Sequence, residues 1–160
     1  MDLIEKSCSF INALGDRELD LRDNGISKIG NLGVTKDQYD TVDFSNNSIG
    51  TLENIPLMKR LRNLYICSNR LSRIDETICH KLPSLETLVL TDNRLERLEE
   101  LVPLKHLTSL RTLVVLDNPV TFKPQYRLFV IKHLESLRIL DFSKISFKER
   151  EAANQMAFTE

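Results

Sequence analysis

Leu85-Glu86-Thr87-Leu88-Val89-Leu90-Thr91-Asp92-Asn93-Arg94-Leu95-Glu96-Arg97-Leu98 carries the pattern on which the whole chain is built. Leu88 and Leu90 stand two apart, the side-chain period of a strand, so both point to one side. Glu86, Thr87, Val89 and Thr91 face or rim the other. Asn93 falls where the chain leaves the strand, and an amide there can bond backbone groups of its own and neighbouring coils. Leu95 and Leu98 return to fill the interior. One copy cannot bury these leucines alone, so copies must stack.

The copies are present. Leu19, Leu21, Asn24, Ile26 and Ile29 form the first. Tyr39, Val42, Phe44, Asn47, Ile49 and Leu52 form the second, and Leu61, Leu64, Ile66, Asn69, Leu71 and Ile74 the third. The opening stretch is the fourth, and Leu110, Leu113, Val115, Asn118 and Val120 are the fifth. The asparagines recur every 22 to 25 residues, the period of a leucine-rich repeat. A degraded sixth strand, Leu137, Leu140 and Phe142, has Ile145 in place of the asparagine, as a terminal repeat would. Before the first copy, Leu3, Ile4, Cys8, Ile11 and Leu14 recur at helical spacing behind Asp2 until Gly15, which predicts a capping helix. Pro56, Pro83 and Pro103 suit short helical or irregular turns on the convex side more than second strands. The fold class is therefore α/β: a leucine-rich repeat solenoid with a parallel concave sheet, an N-terminal capping helix and a C-terminal helical cap. The chain divides as a single domain over 1–160, with a cap at 1–15, five repeats over 16–120 and a second cap at 121–160.

Composition excludes several classes of function. A net charge of −1 argues against a globally basic nucleic-acid binder, yet it hides opposed ends. Ten acidic residues stand against five Lys and Arg up to Glu53, whereas 121–150 holds seven basic residues against three acidic ones. Cys8, Cys67 and Cys79 are odd in number and lack a Cys-x-x-Cys pair, so free thiols are expected. The N-terminus has neither the basic start nor the apolar run of a signal peptide, and no stretch is long enough to span a bilayer. An intracellular protein without membrane attachment is expected. Asn46-Asn47-Ser48 matches a glycosylation sequon but reads as a repeat turn.

With the register set, the open face of the sheet can be enumerated. One column reads Asp20, Asp43, Tyr65, Val89, Val114 and Asp141; the next reads Arg22, Ser45, Cys67, Thr91, Leu116 and Ser143. The first two coils offer charge. Coils three to five offer Tyr65, Cys67, Val89, Val114 and Leu116 where the fold does not require apolar residues. β-propensity favours Val and Tyr on any strand, but five neighbouring apolar positions on one face mark a protein contact. Catalysis finds no constellation. His80, His106 and His133 fall on different coils, Gly30-Asn31-Leu32-Gly33 lacks the Lys-Ser/Thr of a phosphate loop, and Asp20, Asp43 and Asp141 lie on an open sheet that does not exclude water. No enzyme activity, cofactor, metal or small-molecule substrate is expected.

Certain segments narrow the reading. Arg17-Glu18-Leu19-Asp20-Leu21-Arg22, Asn31-Leu32-Gly33 with Asp43-Phe44-Ser45, Asn118-Pro119-Val120-Thr121 with Tyr126-Arg127-Leu128-Phe129-Val130-Ile131, Arg138-Ile139-Leu140-Asp141-Phe142 and Phe147-Lys148-Glu149-Arg150-Glu151 together resemble the A-prime family of U2 small nuclear ribonucleoprotein components. The Asn-Pro-Val to Tyr-Arg cap alone is shared with other leucine-rich repeat modules, including acidic nuclear phosphoproteins and an axonemal dynein light chain, and a general interaction module of that type is the alternative. The resemblance implies a nuclear splicing scaffold. Its concave face would grip the helical side of an RNA-recognition-motif protein of B-double-prime type, and the pair would bind a hairpin of U2 small nuclear RNA. On that reading Asp20, Arg22, Asp43, Tyr65, Cys67, Val89, Thr91, Val114 and Leu116 meet the protein partner. Lys123, Arg127, Lys144, Lys148 and Arg150 at the basic end would touch RNA phosphates.

Overall fold

The computed structural model describes residues 8–158. The repeat pattern becomes a row of short parallel strands: β2 (Arg17–Asp20), β3 (Thr41–Asp43), β5 (Asn63–Tyr65), β7 (Thr87–Val89), β8 (Thr112–Val114) and β9 (Ile139–Leu140). Leu19, Val42, Leu64, Leu88, Leu113 and Leu140 stand in register across it, and each is buried. A single apolar core runs behind the sheet, filled from the return side by Ile49, Leu71, Leu95 and Val120. This is the inside-and-outside alternation the leucines dictate. The outer segments are mostly 3₁₀ turns at Leu32–Thr35, Glu76–Lys81, Leu98–His106 and Pro119–Phe122. Coils two and three are an exception to the expected absence of second strands, for β4 (Thr51–Leu52) and β6 (Arg73–Ile74) pair in parallel on the far side. Among the described residues no helix is long and apolar enough to cross a membrane.

Asparagine is what ties each coil to the one before it. Asn93 Oδ1 accepts from Leu71 N at 2.9 Å, while its Nδ2 donates to Ile66 O at 2.7 Å and Leu90 O at 3.0 Å. Asn69 and Asn118 repeat the arrangement one coil earlier and one later, and all three are buried. Asn47, the centre of the sequon-like triplet, is also a rung, accepting from Ile26 N and donating to Leu21 O. Each rung satisfies a donor and an acceptor of the preceding coil that would otherwise be buried unpaired.

Both ends of the sheet differ from expectation. The expected capping helix is not formed over 8–14: Cys8–Ile11 is a strand, β1, antiparallel to β2, and Ile11 and Leu14 are exposed instead of facing the core. Edge pairing with Arg17–Asp20 satisfies this backbone and outweighs the helical spacing of the apolar residues. The earlier part of that expected helix, 1–7, lies outside the described residues. At the other end Phe142 does not enter the core. Asp141 (φ 50°) and Phe142 (φ 64°) both adopt the left-handed conformation, which closes a two-residue hairpin between β9 and an antiparallel β10 (Ser143–Lys144) and leaves Phe142 exposed.

The C-terminal cap is helical as expected, with α1 (Tyr126–His133) packed against α2 (Phe147–Gln155) and against the turn at 98–106. Tyr126, Phe129, Val130, Leu134, Leu137 and Leu140 are all buried at the end of coil five. Ser146 caps α2, accepting from Glu149 N while the Glu149 carboxylate accepts from Ser146 N.

Candidate functional site: the concave face and its basic end

The strand register brings the sequence-derived columns together on one surface. Asp20, Asp43, Tyr65, Val89 and Val114 are successive neighbours across the sheet. The antiparallel end strands lengthen this face at both sides. β1 sets Cys8 beside Asp20 and Phe10 beside Glu18, and β10 sets Lys144 beside Ile139. Phe10 and Ile139, 39% and 37% exposed, are apolar members of the face that the sequence reading did not pick out. For Ile139 the strand alternation two columns before Asp141 contained the signal. For Phe10 it did not, because its segment reads as helix.

Charge on the first coils is ordered. Arg22 donates to both oxygens of Asp20, at 2.9 and 2.8 Å, and lies 3.8 Å from Asp43. The guanidinium holds the Asp20 carboxyl below its ordinary range, and the carboxylates in turn push Arg22 up. Asp20 and Asp43 also accept from Arg22 N and Ser45 N, closing the turns that follow their strands. They act as a fixed negative rim around one cation.

Coils three to five differ. Tyr65, Cys67, Val89 and Thr91 are half-buried and Leu116 is 37% exposed, so a shallow apolar strip lies open in the middle of the face. Burial raises both the Tyr65 hydroxyl and the Cys67 thiol, keeping each neutral. Cys79, inside the core, is pushed up to about 12 by burial, and the three thiols are free. Val114 departs from the expected placement: it is 1% exposed. Asp141 brackets it along the strand, donating from its backbone to Leu113 O and accepting from Val115 N at its carboxylate. Val114 therefore belongs to the floor of the strip and not to its accessible surface.

At the basic end the structure separates two kinds of cation. Arg127 donates to the Glu149 carboxylate at 2.6 Å, to Leu140 O at 3.0 Å and to Ser143 O at 3.3 Å, joining α1, the β9–β10 hairpin and α2. Arg150 donates to the carbonyls of Ile131, Leu134 and Leu137, closing the C-terminal end of α1. These two guanidiniums, expected as phosphate contacts, are engaged inside the cap and hold it together. Lys123, Lys144 and Lys148 are exposed. His80 and His106 are on the outer turns, their rings 4.7 Å apart with His106 meeting Glu76 at 3.0 Å, and His133 ends α1. Among the described residues no group of three or more His, Cys, Asp or Glu side chains is placed to hold a metal ion.

Comparison with known proteins places this architecture. A leucine-rich repeat family model matches residues 1–160. The chain is 53% identical over 152 residues to the U2 small nuclear ribonucleoprotein A′ of Arabidopsis thaliana, covering 95% of this chain and 61% of that one. The chain belongs to the leucine-rich repeat family, and its relatives there are U2 small nuclear ribonucleoprotein A′ proteins. The Homo sapiens A′ protein is 48% identical over 155 residues, again with 97% of this chain and 61% of the relative covered. A crystal structure of the Drosophila melanogaster SNF/U2A′ complex superposes with a TM-score of 0.93 at 44% identity, covering 96% of this chain and 88% of that one. The chain thus spans about three fifths of the length of the curated A′ relatives it matches. Their names are those of a ribonucleoprotein component, not of an enzyme.

Proposed function

We propose that this leucine-rich repeat domain is a non-catalytic nuclear scaffold of the U2 small nuclear ribonucleoprotein: its concave face holds an RNA-recognition-motif protein of B″ type, and the pair binds a hairpin of U2 RNA during splicing. The supporting observation is the division of the concave face into an apolar strip and an ordered acidic rim, next to an end that carries exposed lysines. A partner helix laid across Tyr65, Val89 and Leu116 would cover the strip, with Cys67 and Thr91 beneath it and Asp20, Arg22 and Asp43 supplying polar contacts at the rim. That one structural relative is a complex between an A′ protein and SNF adds to this reading. Lys144 and Lys148, with Lys123 behind them, would meet RNA phosphates, a contribution that is sequence-independent and weakens with salt.

Two measurements separate the surfaces. Tyr65→Ala with Leu116→Asp is expected to abolish binding of the partner protein in the absence of RNA while the protein stays folded. Lys144→Glu with Lys148→Glu is expected to spare that complex and weaken only the preformed pair's grip on the hairpin. Tight, specific hairpin binding by the isolated chain without any partner would refute the scaffold mechanism.

A further inference from the structure

Beyond its lysines, the closing edge of the solenoid carries large aromatic side chains that the core does not use. Phe142, at the tip of the β9–β10 hairpin, is 77% exposed, and Phe147, the first residue of α2, is 76% exposed. Lys144 lies between them in sequence and Lys148 follows. Ile139 and Lys144, sheet partners, connect this edge to the concave face.

What makes the strip cationic is the inward engagement of the carboxylates within it. Asp141 accepts from Val115 N at 2.7 Å and from the Tyr126 hydroxyl at 2.8 Å. Glu149 accepts from Arg127 at 2.6 Å and from Ser146 N at 2.8 Å. Glu135, on the flank with Arg138 and Arg150, and Glu151, one turn of α2 beyond Phe147 and Lys148, are the exposed acids nearby. Exposed aromatic faces interleaved with exposed lysines match the chemistry of unpaired nucleotides, whose bases stack on rings and whose phosphates meet ammonium groups. An apolar protein segment would leave Lys144 and Lys148 desolvated without partners, at a cost.

We propose that Phe142, Lys144, Phe147 and Lys148 form a stacking site for single-stranded RNA, with one base on each phenylalanine and the lysines on the intervening phosphates. This rests on the reading above that the basic end meets RNA, and it adds direct contact with unpaired bases to the phosphate contacts named there. It predicts weak, sequence-tolerant binding of short single strands by the chain itself, distinct from specific hairpin binding by the pair.

The test uses the full chain and a twelve-residue oligouridylate, followed by fluorescence anisotropy across a salt series. Phe142→Ala with Phe147→Ala is expected to weaken binding about tenfold or more with an unchanged salt slope. Phe142→Trp with Phe147→Trp should retain or improve it. Lys144→Gln with Lys148→Gln should flatten the salt slope. Alanine variants that bind the oligonucleotide like the parent overturn the stacking site, even where the lysine variants still weaken binding. Alanine variants that lose the protein partner in the absence of RNA, with oligonucleotide binding intact, overturn it in favour of a protein contact. Failure of Tyr65→Ala with Leu116→Asp to affect the partner bears on the scaffold reading alone, since no partner is present in the oligonucleotide assay.

Discussion

Asn24 and Asn118 occupy the same position of the same repeat, at opposite ends of the ladder, and differ in almost everything else. Asn118 is 1% exposed and bonds Leu95 N, Leu90 O and Val115 O. Asn24 is exposed, and among the described residues its side-chain amide reaches only Arg22 O, in its own turn. The reason is directional: every rung reaches back to the coil before it, and among the described residues the first rung has no such coil to reach. A repeat motif in the sequence therefore does not carry a fixed energetic value. Its value is supplied by the neighbour on its N-terminal side.

The largest effect that would break this contrast is removal of the cap. Deleting residues 126–160 strips Tyr126, Val130, Leu134 and Leu137 from the end of coil five, and the loss of stability is expected to be several kcal/mol, seen as a much lower thermal midpoint or as aggregation. Next comes Val114→Glu, which places a carboxylate in a position bracketed by the closing hairpin. It is expected to unfold or strongly destabilise the chain, whereas the open position Thr91→Ala should leave the midpoint nearly unmoved. The two rungs themselves follow. Asn118→Leu leaves backbone groups of coils four and five unpaired and should cost about 1–3 kcal/mol by chemical denaturation. Asn24→Leu should change stability by less than about 0.5 kcal/mol. Equal effects at the two positions would remove the directional account. The smallest effect concerns pH. Arg127 holds Glu149 at about 2, below its ordinary 4.5, so the pair's contribution is fully present above pH 4.5 and is lost as the pH falls toward 2. Glu149→Gln should lower the midpoint modestly at neutral pH, and the gap to the parent protein should close over that acidic interval.

The same contrast explains which parts of the molecule were legible in the sequence. Leucine alternation and the asparagine period are local and repeated, so strand positions, buried columns and buried rungs at Asn69, Asn93 and Asn118 could be read directly. The ends could not, because their conformation depends on what the terminal coil lacks. Cys8, Ile11 and Leu14 fit a helical period, yet pairing with β2 made Cys8–Ile11 a strand. Phe142 continued the alternation of Leu140, yet two left-handed residues turned it outward and brought the Asp141 carboxylate to Val115 N. Arg127 and Arg150 read as surface cations because composition records charge and not the carbonyls of Leu140, Ile131 or Leu137 that tertiary packing turns toward them. The concave column Asp20, Asp43, Tyr65, Val89 and Val114 follows the period, but at the last coil it breaks: Val114 is buried, Asp141 closes the hairpin and Ser143 pairs with the core-facing Leu140.

The direction of the two outermost strands has a consequence for growth. A stack of identical coils is open-ended in principle, since each coil presents the next with a strand to copy, and another molecule's first coil is as good a continuation as the chain's own. β1 and β10 run against their neighbours, and at β10 the Arg127 guanidinium already occupies carbonyls of Leu140 and Ser143. A newcomer running with the coils would have to pair antiparallel to these edges, in a register the repeat does not use. Each end of the described sheet is therefore finished by a strand that breaks the one-directional repeat, and a second molecule's first coil cannot simply continue the parallel stack.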